Sequence, residues 1–198
     1  DESESRGLGD VYKRQNSLFV NWADFPTVAA FNDGTLAVSW LQKNAQLSYA
    51  YDINIVLSAD EGRTWSSPIE PHDDQSTRQH GFLTLLPTAR DEMIAVWLDA
   101  REYNNQSPGD SFGNAVQLRS TTISKDGTLG KDIPLDLRAC SCCQTSAAIT
   151  EDGTVLIAYR DRTADEIRDI SIVRRHNGIW SGSVNVHADG WEISGCPV

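Results

Sequence analysis

The stretch that decides the fold is Ser58-Ala59-Asp60-Glu61-Gly62-Arg63-Thr64-Trp65. Ser58 and Asp60 carry side-chain oxygens that can accept hydrogen bonds from the N–H groups of a turn. Gly62 can adopt a positive φ at little cost, and Trp65 is expected to fill the gap between adjacent sheets. The stretch therefore predicts a rigid turn that joins two strands.

Two weaker copies of this turn follow later in the chain. Ser124-Lys125-Asp126-Gly127-Thr128-Leu129 keeps the central residues Asp126 and Gly127, whereas Asn177-Gly178-Ile179-Trp180 keeps only a glycine and the tryptophan. A turn that recurs at wide spacing indicates a repeated structural unit.

A second turn marks the same repeat more clearly. Asp33-Gly34-Thr35, Asp91-Glu92-Met93 and Asp152-Gly153-Thr154 lie 58 and 61 residues apart. Each is preceded and followed by an apolar run, which is the pattern of a β-hairpin with a tight turn. The sequence thus predicts the same hairpin three times.

Further strands complete each unit. Residues 52–56 are echoed by residues 169–173, with residues 114–118 as a weaker middle copy, and their alternating β-branched residues predict a third strand. Weaker fourth strands are expected around residues 67–70, 131–135 and 182–187. Four antiparallel strands in each unit of 50 to 60 residues predict an all-β chain, a partial β-propeller of about three blades. The blades are expected at about residues 22–70, 81–135 and 142–187, and residues 193–198 resemble the start of the next one.

The two ends of the chain suggest a piece of a larger propeller. The sequence lacks an initiator Met, and residues 10–15 resemble the translated end of a transposon used in sequencing libraries, so residues 1–15 are excluded from fold reasoning. Propellers usually close with four to eight blades, so three blades leave two uncovered flanks. We therefore expect this chain to self-associate when it is isolated.

The overall composition excludes several classes of protein. The 39% hydrophobic content fits a globular protein, and no apolar run approaches the roughly 20 residues of a membrane-spanning helix. The formal net charge of −11 argues against nucleic acid as a partner, because phosphate binding needs a basic face. An anionic substrate would need a local basic pocket.

The pattern Ser58-x-Asp60-x-Gly62-x-Thr64-Trp65, in register with the repeated blade, resembles the Asp-box, or BNR, repeat of the sialidase superfamily. The resemblance covers about residues 17–198 and implies a six-bladed parent, an extracellular or periplasmic location and no cofactor. It also implies a structural role for the turn, because Asp-boxes shape the fold and take no part in catalysis. Members of the exo-α-sialidase type hydrolyse terminal sialic acid.

Strand alternation separates the two ends of each blade. The Asp-Gly turns and the Asp-box turns share one face, while the loops between second and third strands share the opposite face with the blade connections. Lys43, Arg101 and Arg162 lie just beyond the second strand at equivalent positions of this opposite face, and Arg160 and Arg168 lie close by. Sialidase-like enzymes hold a substrate carboxylate with arginines, so these cations are candidate substrate-binding residues. The alternative is that they form loop ion pairs of small value, Asp99 with Arg101, Asp161 with Arg162 and Arg168 with Asp169.

The family's catalytic pattern is matched only in part. Asp24-Phe25-Pro26 stands where the family has Arg-Ile-Pro, so its first clamp arginine is missing from that place. Asp52 is the candidate general acid/base, although its counterpart Asp169 favours a plain structural role for the repeated position. Tyr51 and Tyr103 could lie near the same face, while the resemblance implies that the tyrosine nucleophile belongs to a later blade.

Cysteines and histidines form the remaining candidates. Cys140, Cys142, Cys143 and Cys196 lie at the starts of neighbouring inner strands and suit one or two disulfides, most simply Cys196 with Cys142 or Cys143. A thiolate metal or redox site is the alternative, without a histidine at ligand spacing to support it, and we predict no resident metal. The four histidines are scattered and are expected to be solvated, without a functional role: His72, His80, His176 and His187.

Two functions remain open from the sequence. The first is a sialidase-superfamily propeller that acts on carbohydrate and hydrolyses terminal sialic acid or a related glycan end. The second is a noncatalytic propeller that binds a glycan or a protein at the same face, which the missing arginine and the degraded later turns favour. The expected ligand in the first case is a sialoside-like small molecule or a glycan.

Overall fold

The computed structural model describes residues 17–20, 23–46, 49–89, 91–103 and 115–193. Within these ranges the chain forms only β-strands and connecting segments. No helix in this part of the chain is long and apolar enough to cross a membrane. The strands are β1 (Val28–Ala30), β2 (Leu36–Lys43), β3 (Tyr51–Ser58), β4 (His80–Pro87), β5 (Glu92–Asp99), β6 (Val116–Ser124), β7 (Ile133–Ala139), β8 (Ser146–Ile149), β9 (Val155–Arg160), β10 (Ile170–His176), β11 (Ile179–Trp180) and β12 (Val184–Asn185).

The strands form three antiparallel sheets that follow one another along the chain. Their orders are β1-β2-β3, β4-β5-β6-β7 and β8-β9-β10-β11, and β12 also pairs with β10. Each sheet begins with the hairpin that the repeated Asp-Gly or Asp-Glu turn predicts. The chain therefore forms three blades of a β-propeller, as expected from the repeats.

The fourth strands depart most from the expected positions. In the first blade the fourth strand is reduced to one bridge between Ile55 and Ile69. In the second blade β7 runs on to Ala139, beyond the expected end at residue 135. In the third blade two short pieces, β11 and β12, pair with β10 in place of one continuous strand. Outer strands have few neighbours to fix their register, which explains this variation.

The middle blade is buried on both faces, and β5 shows how. Met93, Ala95 and Trp97 belong to the core shared with the first blade, whereas the alternating residues Ile94, Val96 and Leu98 belong to the core shared with the third. Because successive side chains of a strand point to opposite faces, one continuous apolar run fills both cores. The outer blades are covered on one face only. The third sheet accordingly keeps exposed apolar side chains: Ile149, Ile170, Ile179 and Val184.

Threonines tie the inner strands together. The Thr27 hydroxyl donates to the Leu83 carbonyl at 3.0 Å, and the Thr84 hydroxyl donates to the Thr145 carbonyl at 2.9 Å. The β4 strand carries a bulge between Gly81 and Thr84. These contacts hold the first residues of each inner strand at fixed positions around the propeller axis.

The turn at residues 58–65 is closed by its own side chains. The Asp60 carboxylate accepts from the Thr64 backbone N–H at 2.8 Å and from the Thr64 hydroxyl at 2.6 Å, and the Ser58 hydroxyl oxygen accepts from the Gly62 N–H at 2.8 Å. These hydrogen bonds lower the pKa of Asp60 to about 2. Gly62 has φ of +82°. The expected place of Trp65 between the sheets is wrong: its ring is 44% exposed and packs over Gly62, because the turn projects beyond the end of the core.

Candidate functional site

The two ends of the propeller are distinct in composition. At one end, the Lys125 ammonium lies 3.5 Å from Asp33 and 3.9 Å from Asp91, so tight turns of two blades meet there. At the other end, Arg101 of the β5–β6 loop contacts Asp73 of the link between the first two blades. We call this second end the loop face. It gathers the loops and links that the sequence places together.

A stacked histidine pair lies under the loop face. The rings of His72 and His80 are 3.9 Å apart between centroids and nearly parallel, at 10°. Their side chains are 2% and 0% exposed. The expectation of solvated histidines is therefore wrong for these two, because the link after the first blade folds back over the start of β4.

Two aspartates flank the stacked rings. His80 Nδ1 lies 3.0 Å from Asp52 and His80 Nε2 lies 3.0 Å from Asp74. Each of these carboxylates also lies 3.7 Å from a ring nitrogen of His72, and neither of those nitrogens has a hydrogen-bond partner among the described residues. Asp52, the candidate acid/base, also accepts from the Asn44 amide at 2.7 Å. Its carboxylate is thus part of a largely buried polar network.

The two histidines differ in charge. Burial acts to lower the pKa of His80, but the hydrogen bonds to Asp52 and Asp74 outweigh it and raise the pKa to about 9. Burial, followed by the positive charge of His80, lowers the pKa of His72 to about 4. At neutral pH the stack therefore pairs an imidazolium with a neutral imidazole.

Arg101 lies beside this network, enclosed by carboxylates. Its guanidinium donates to Asp99 at 2.9 and 2.8 Å, to Asp73 at 2.7 Å and to Asp132 at 2.6 Å, and it lies 3.3 Å from Asp74. The side chain is only 12% exposed. Asp99 and Arg101 therefore form the ion pair that the alternative interpretation of the sequence predicts. The pair is buried and belongs to a network, however, and is not an isolated loop ion pair.

A further carboxyl group lies where the inner strands begin. The Asp24 carboxylate accepts from the Phe82 N–H at 2.7 Å, and Phe82 adopts φ of +57° within the β4 bulge. Burial raises the pKa of Asp24 to about 6, against the opposing effect of the Phe82 and Phe25 N–H groups. A bulky residue at positive φ is strained, and such strain often marks functional positions.

Tyr51 lies beside Asp24. A Cβ atom at Gly81 would clash with the Asp24 carboxylate and would lie 2.9 Å from Tyr51 Cε2 and 3.2 Å from its hydroxyl, so both groups converge on Gly81. Burial, followed by the charge of Asp24, raises the pKa of Tyr51 well above its usual value. Tyr51 also stacks on Phe19, with ring centroids 3.8 Å apart. The other expected tyrosine, Tyr103, packs against the core between the second and third blades.

The third blade places its arginines around Glu166. Arg162 Nη2 and Arg168 Nη2 each lie 2.7 Å from a different oxygen of this carboxylate. The expected side-chain pairs of Asp161 with Arg162 and of Arg168 with Asp169 are therefore wrong. Asp161 accepts from the backbone N–H of Arg162 and from the Ser171 hydroxyl, and Asp169 accepts the N–H groups of Gly190 and Trp191. Glu166 competes successfully because a tight turn carries it back between the two guanidinium groups, as the bond from its N–H to the Thr163 carbonyl shows.

Two candidate cations remain, Arg160 and Lys43. Arg160 lies with its guanidinium 4.5 Å above the Trp191 ring, on the wall of an open pocket of about 590 Å³. Lys43 is the last residue of β2 and is exposed. The structure thus groups three cations of the third blade, because Arg168 lines the same pocket as Arg160 and shares the Glu166 carboxylate with Arg162.

Among the residues that the structure describes, three groups of side chains have donor atoms within 4.8 Å of one another, close enough to share a metal ion. Two of them belong to the histidine network, where hydrogen bonds from His80 to Asp52 and Asp74 account for the arrangement without an ion. The third consists of Cys140, Cys142 and Cys143. Cys196 and residues 1–15 lie outside the described residues.

No family model and no curated protein matches the sequence. Among solved structures, a protein of unknown function from Dyadobacter fermentans has a TM-score of 0.56 at 16% identity, covering 81% of this chain and 50% of that one. A family PL25 polysaccharide lyase, an ulvan lyase, has a TM-score of 0.54 at 14% identity, covering 85% and 44%. The α-L-arabinofuranosidase Arb93A from Fusarium graminearum has a TM-score of 0.54 at 15% identity, covering 85% and 50%.

The likeness identifies a fold. At these identities it shows the propeller architecture and carries no residue assignments. The chain spans about half the length of these solved structures. Several of the neighbours are carbohydrate-active enzymes by name, a glycoside hydrolase and a polysaccharide lyase among them.

Sequence reasoning missed several functional candidates that the structure brings together. His72 and His80 carry no local pattern, and only the fold of the link makes them neighbours. Asp24 was noted as a departure from an arginine, although an aspartate just before an inner strand is itself a signal for a carboxyl group near the axis. The spacing Cys140-x-x-Cys143 is a recognised metal-ligand spacing that the sequence shows directly.

Proposed function

We propose that the protein acts on carbohydrate at the loop face, as a glycosidase that hydrolyses a terminal sugar. The observation that carries the proposal is the carboxyl group of Asp24, whose pKa of about 6 is held by burial at the start of the inner strands. A glycosidase needs one carboxyl group that is still protonated near neutral pH, so that it can protonate the leaving oxygen. The propeller fold that this chain shares with carbohydrate-active enzymes supports the same proposal.

Asp24 is proposed as the general acid, with Tyr51 as a positioning residue. Tyr51 is fully buried and its raised pKa disfavours the phenolate, so it is suited to orient the carboxyl group and unsuited to attack a sugar. Asp52 is hydrogen-bonded to His80 and Asn44, so its carboxylate is better suited to stabilising the loop face than to transferring a proton. The second catalytic group would come from another part of the whole protein.

We further propose that the substrate is a terminal sialic acid or a related glycan end, and that the protein acts outside the cytoplasm. This substrate requires an arginine that can bind its carboxylate. Arg162 and Arg168 are the better candidates on this face because both guanidinium groups lie 2.7 Å from the Glu166 carboxylate, an arrangement in which two arginines hold one carboxylate. Arg101, in contrast, is enclosed by four carboxylates.

A noncatalytic glycan-binding or protein-binding propeller is the second candidate. The observation that favours it is the engagement of Arg101 with carboxylates through its Nε, Nη1 and Nη2 atoms. Such an arginine stabilises the loop face and offers little to an anionic substrate.

Product release by the complete protein tests these proposals. The protein is incubated with chromogenic sialosides, arabinosides and other glycosides, and Asp24→Asn is compared with Asp33→Asn, which alters an exposed turn at the opposite end. We expect release from at least one substrate, a loss of at least about 100-fold in kcat for Asp24→Asn and no loss for Asp33→Asn. Glycan binding without release would support the noncatalytic candidate and would contradict the enzymatic one.

A further inference from the structure

The three cysteines at the link between β7 and β8 form a compact group of sulfur atoms. Cys140 Sγ lies 3.7 Å from Cys142 Sγ and 3.9 Å from Cys143 Sγ. A disulfide would require about 2.05 Å between two sulfurs, so neither of these two pairs is bonded in the structure. All three sulfur atoms lie within 4.8 Å of one another, close enough to contact one ion.

The separations match those of thiolates around one metal ion. Zinc binds cysteine sulfur at about 2.3 Å with tetrahedral geometry, which places neighbouring sulfurs about 3.8 Å apart. Cys140 and Cys143 also have the two-residue spacing that is common to zinc sites. Three ligands of one ion would thus need little movement from their places in the structure.

A guanidinium group lies against the sulfurs. Arg168 Nη1 donates to Cys140 Sγ at 3.3 Å, and Cys140 is 1% exposed. A cation in hydrogen-bond contact favours the thiolate over the thiol, and the thiolate is the form that binds metals. Arg168 is itself fixed by Glu166 at 2.7 Å, so the positive charge is held in place beside the sulfurs.

We propose that Cys140, Cys142 and Cys143 bind a thiolate-preferring metal ion of the zinc(II) or copper(I) class, with Arg168 compensating the charge of the thiolates. Soft sulfur ligands select zinc(II) and copper(I) over the harder magnesium and calcium ions. Each cysteine that is protonated before binding releases its proton to solvent as its sulfur coordinates the ion. The ion ties the link of residues 140–145 to Arg168 of the β9–β10 loop. The proposal does not depend on the proposed glycosidase activity.

Metal content of the complete protein tests the proposal. The protein is purified anaerobically without chelator, and separate samples are loaded with zinc(II) or copper(I), desalted and analysed by mass spectrometry of the metals. We expect one ion per chain in the zinc sample, the copper sample or both. The sample that retains more metal after desalting shows which of the two ions the site prefers. The double variant Cys142→Ser/Cys143→Ser should lose the ion, whereas Ser141→Ala, which changes the residue between the ligands, should keep it.

Two further measurements do not depend on how the cysteine variants fold. Cobalt(II) added to the unaltered protein should give the intense near-ultraviolet charge-transfer band of cobalt bound to thiolates. Arg168→Met should weaken zinc affinity by roughly 10- to 100-fold, as expected for a residue that supports metal ligands, and Arg168→Lys should restore part of it.

Several results would overturn the proposal. These are the absence of bound metal in both samples, full metal content in the double variant, and, where the zinc sample holds an ion, a cobalt spectrum without the thiolate band. A disulfide that includes any of the three cysteines, found by non-reducing peptide mapping of the protein as isolated, would also overturn it.

Discussion

His80 should make the stability of the protein depend on pH in the alkaline range. Its folded-state pKa of about 9 lies above the ordinary value of 6.5, which corresponds to about 3 kcal/mol. Because the raised pKa reflects binding of the protonated ring by Asp52 and Asp74, this stability is fully present below pH 6.5. It is lost progressively as the pH rises from 6.5 to about 9. His72 acts in the opposite direction, since its pKa is lowered to about 4 and the folded state loses stability as the pH falls from 6.5 towards 4.

Urea unfolding of the complete protein, followed by tryptophan fluorescence between pH 5 and 9.5, measures this effect. The free energy of unfolding should fall by about 3 kcal/mol between pH 6.5 and 9. His80→Gln should remove most of that slope, while His187→Gln should leave it, because the His187 side chain is 78% exposed and pairs with the exposed Asp189. A flat profile in the unaltered protein would refute the reasoning, as would an equal slope in His80→Gln.

Three other changes have expected outcomes. Gly81→Ala should lower the free energy of unfolding in urea by about 1–3 kcal/mol, because the new Cβ would lie 2.9 Å from a carbon of Tyr51. As a control, Gly182→Ala should change it by less than about 0.5 kcal/mol, because a Cβ there meets nothing within 4 Å. Equal effects of the two substitutions would contradict this expectation. Arg101→Met should cost about 3–5 kcal/mol in the same assay, since it leaves buried carboxylates without their cation, and a loss below 1 kcal/mol would count against the network. The 198-residue chain alone should elute from size exclusion with light scattering as an oligomer, because its third sheet exposes apolar side chains; a sharp monomer peak would disprove this expectation.

The fold could be predicted because it repeats. The three Asp-Gly or Asp-Glu turns fix three hairpins, and alternation along the strands fixes which turns share an end of the propeller. Only local patterns are needed for both inferences. The fourth strands were placed less well, since a strand such as β7 at the edge of a sheet has weaker patterning.

The candidate site could be predicted only in outline. Alternation places Arg101 and Arg162 at the loop face, but their partners Asp132 and Glu166 are selected by the packing of loops. The stack of His72 on His80 depends on the path of an irregular link, which no periodic pattern describes. The pKa of Asp24 is a property of burial, and burial at the start of an inner strand is known only once neighbouring blades are in place.

In the proposed function, Asp24 donates a proton to a leaving group at the loop face. The most direct test is the pH dependence of kcat/KM of the complete protein on the best glycoside from the substrate panel. Activity should fall as the pH rises through about 6, where Asp24 loses its proton, and Asp24→Asn should be slower and lack that transition. An unchanged transition near pH 6 in Asp24→Asn, at undiminished rate, would contradict the account.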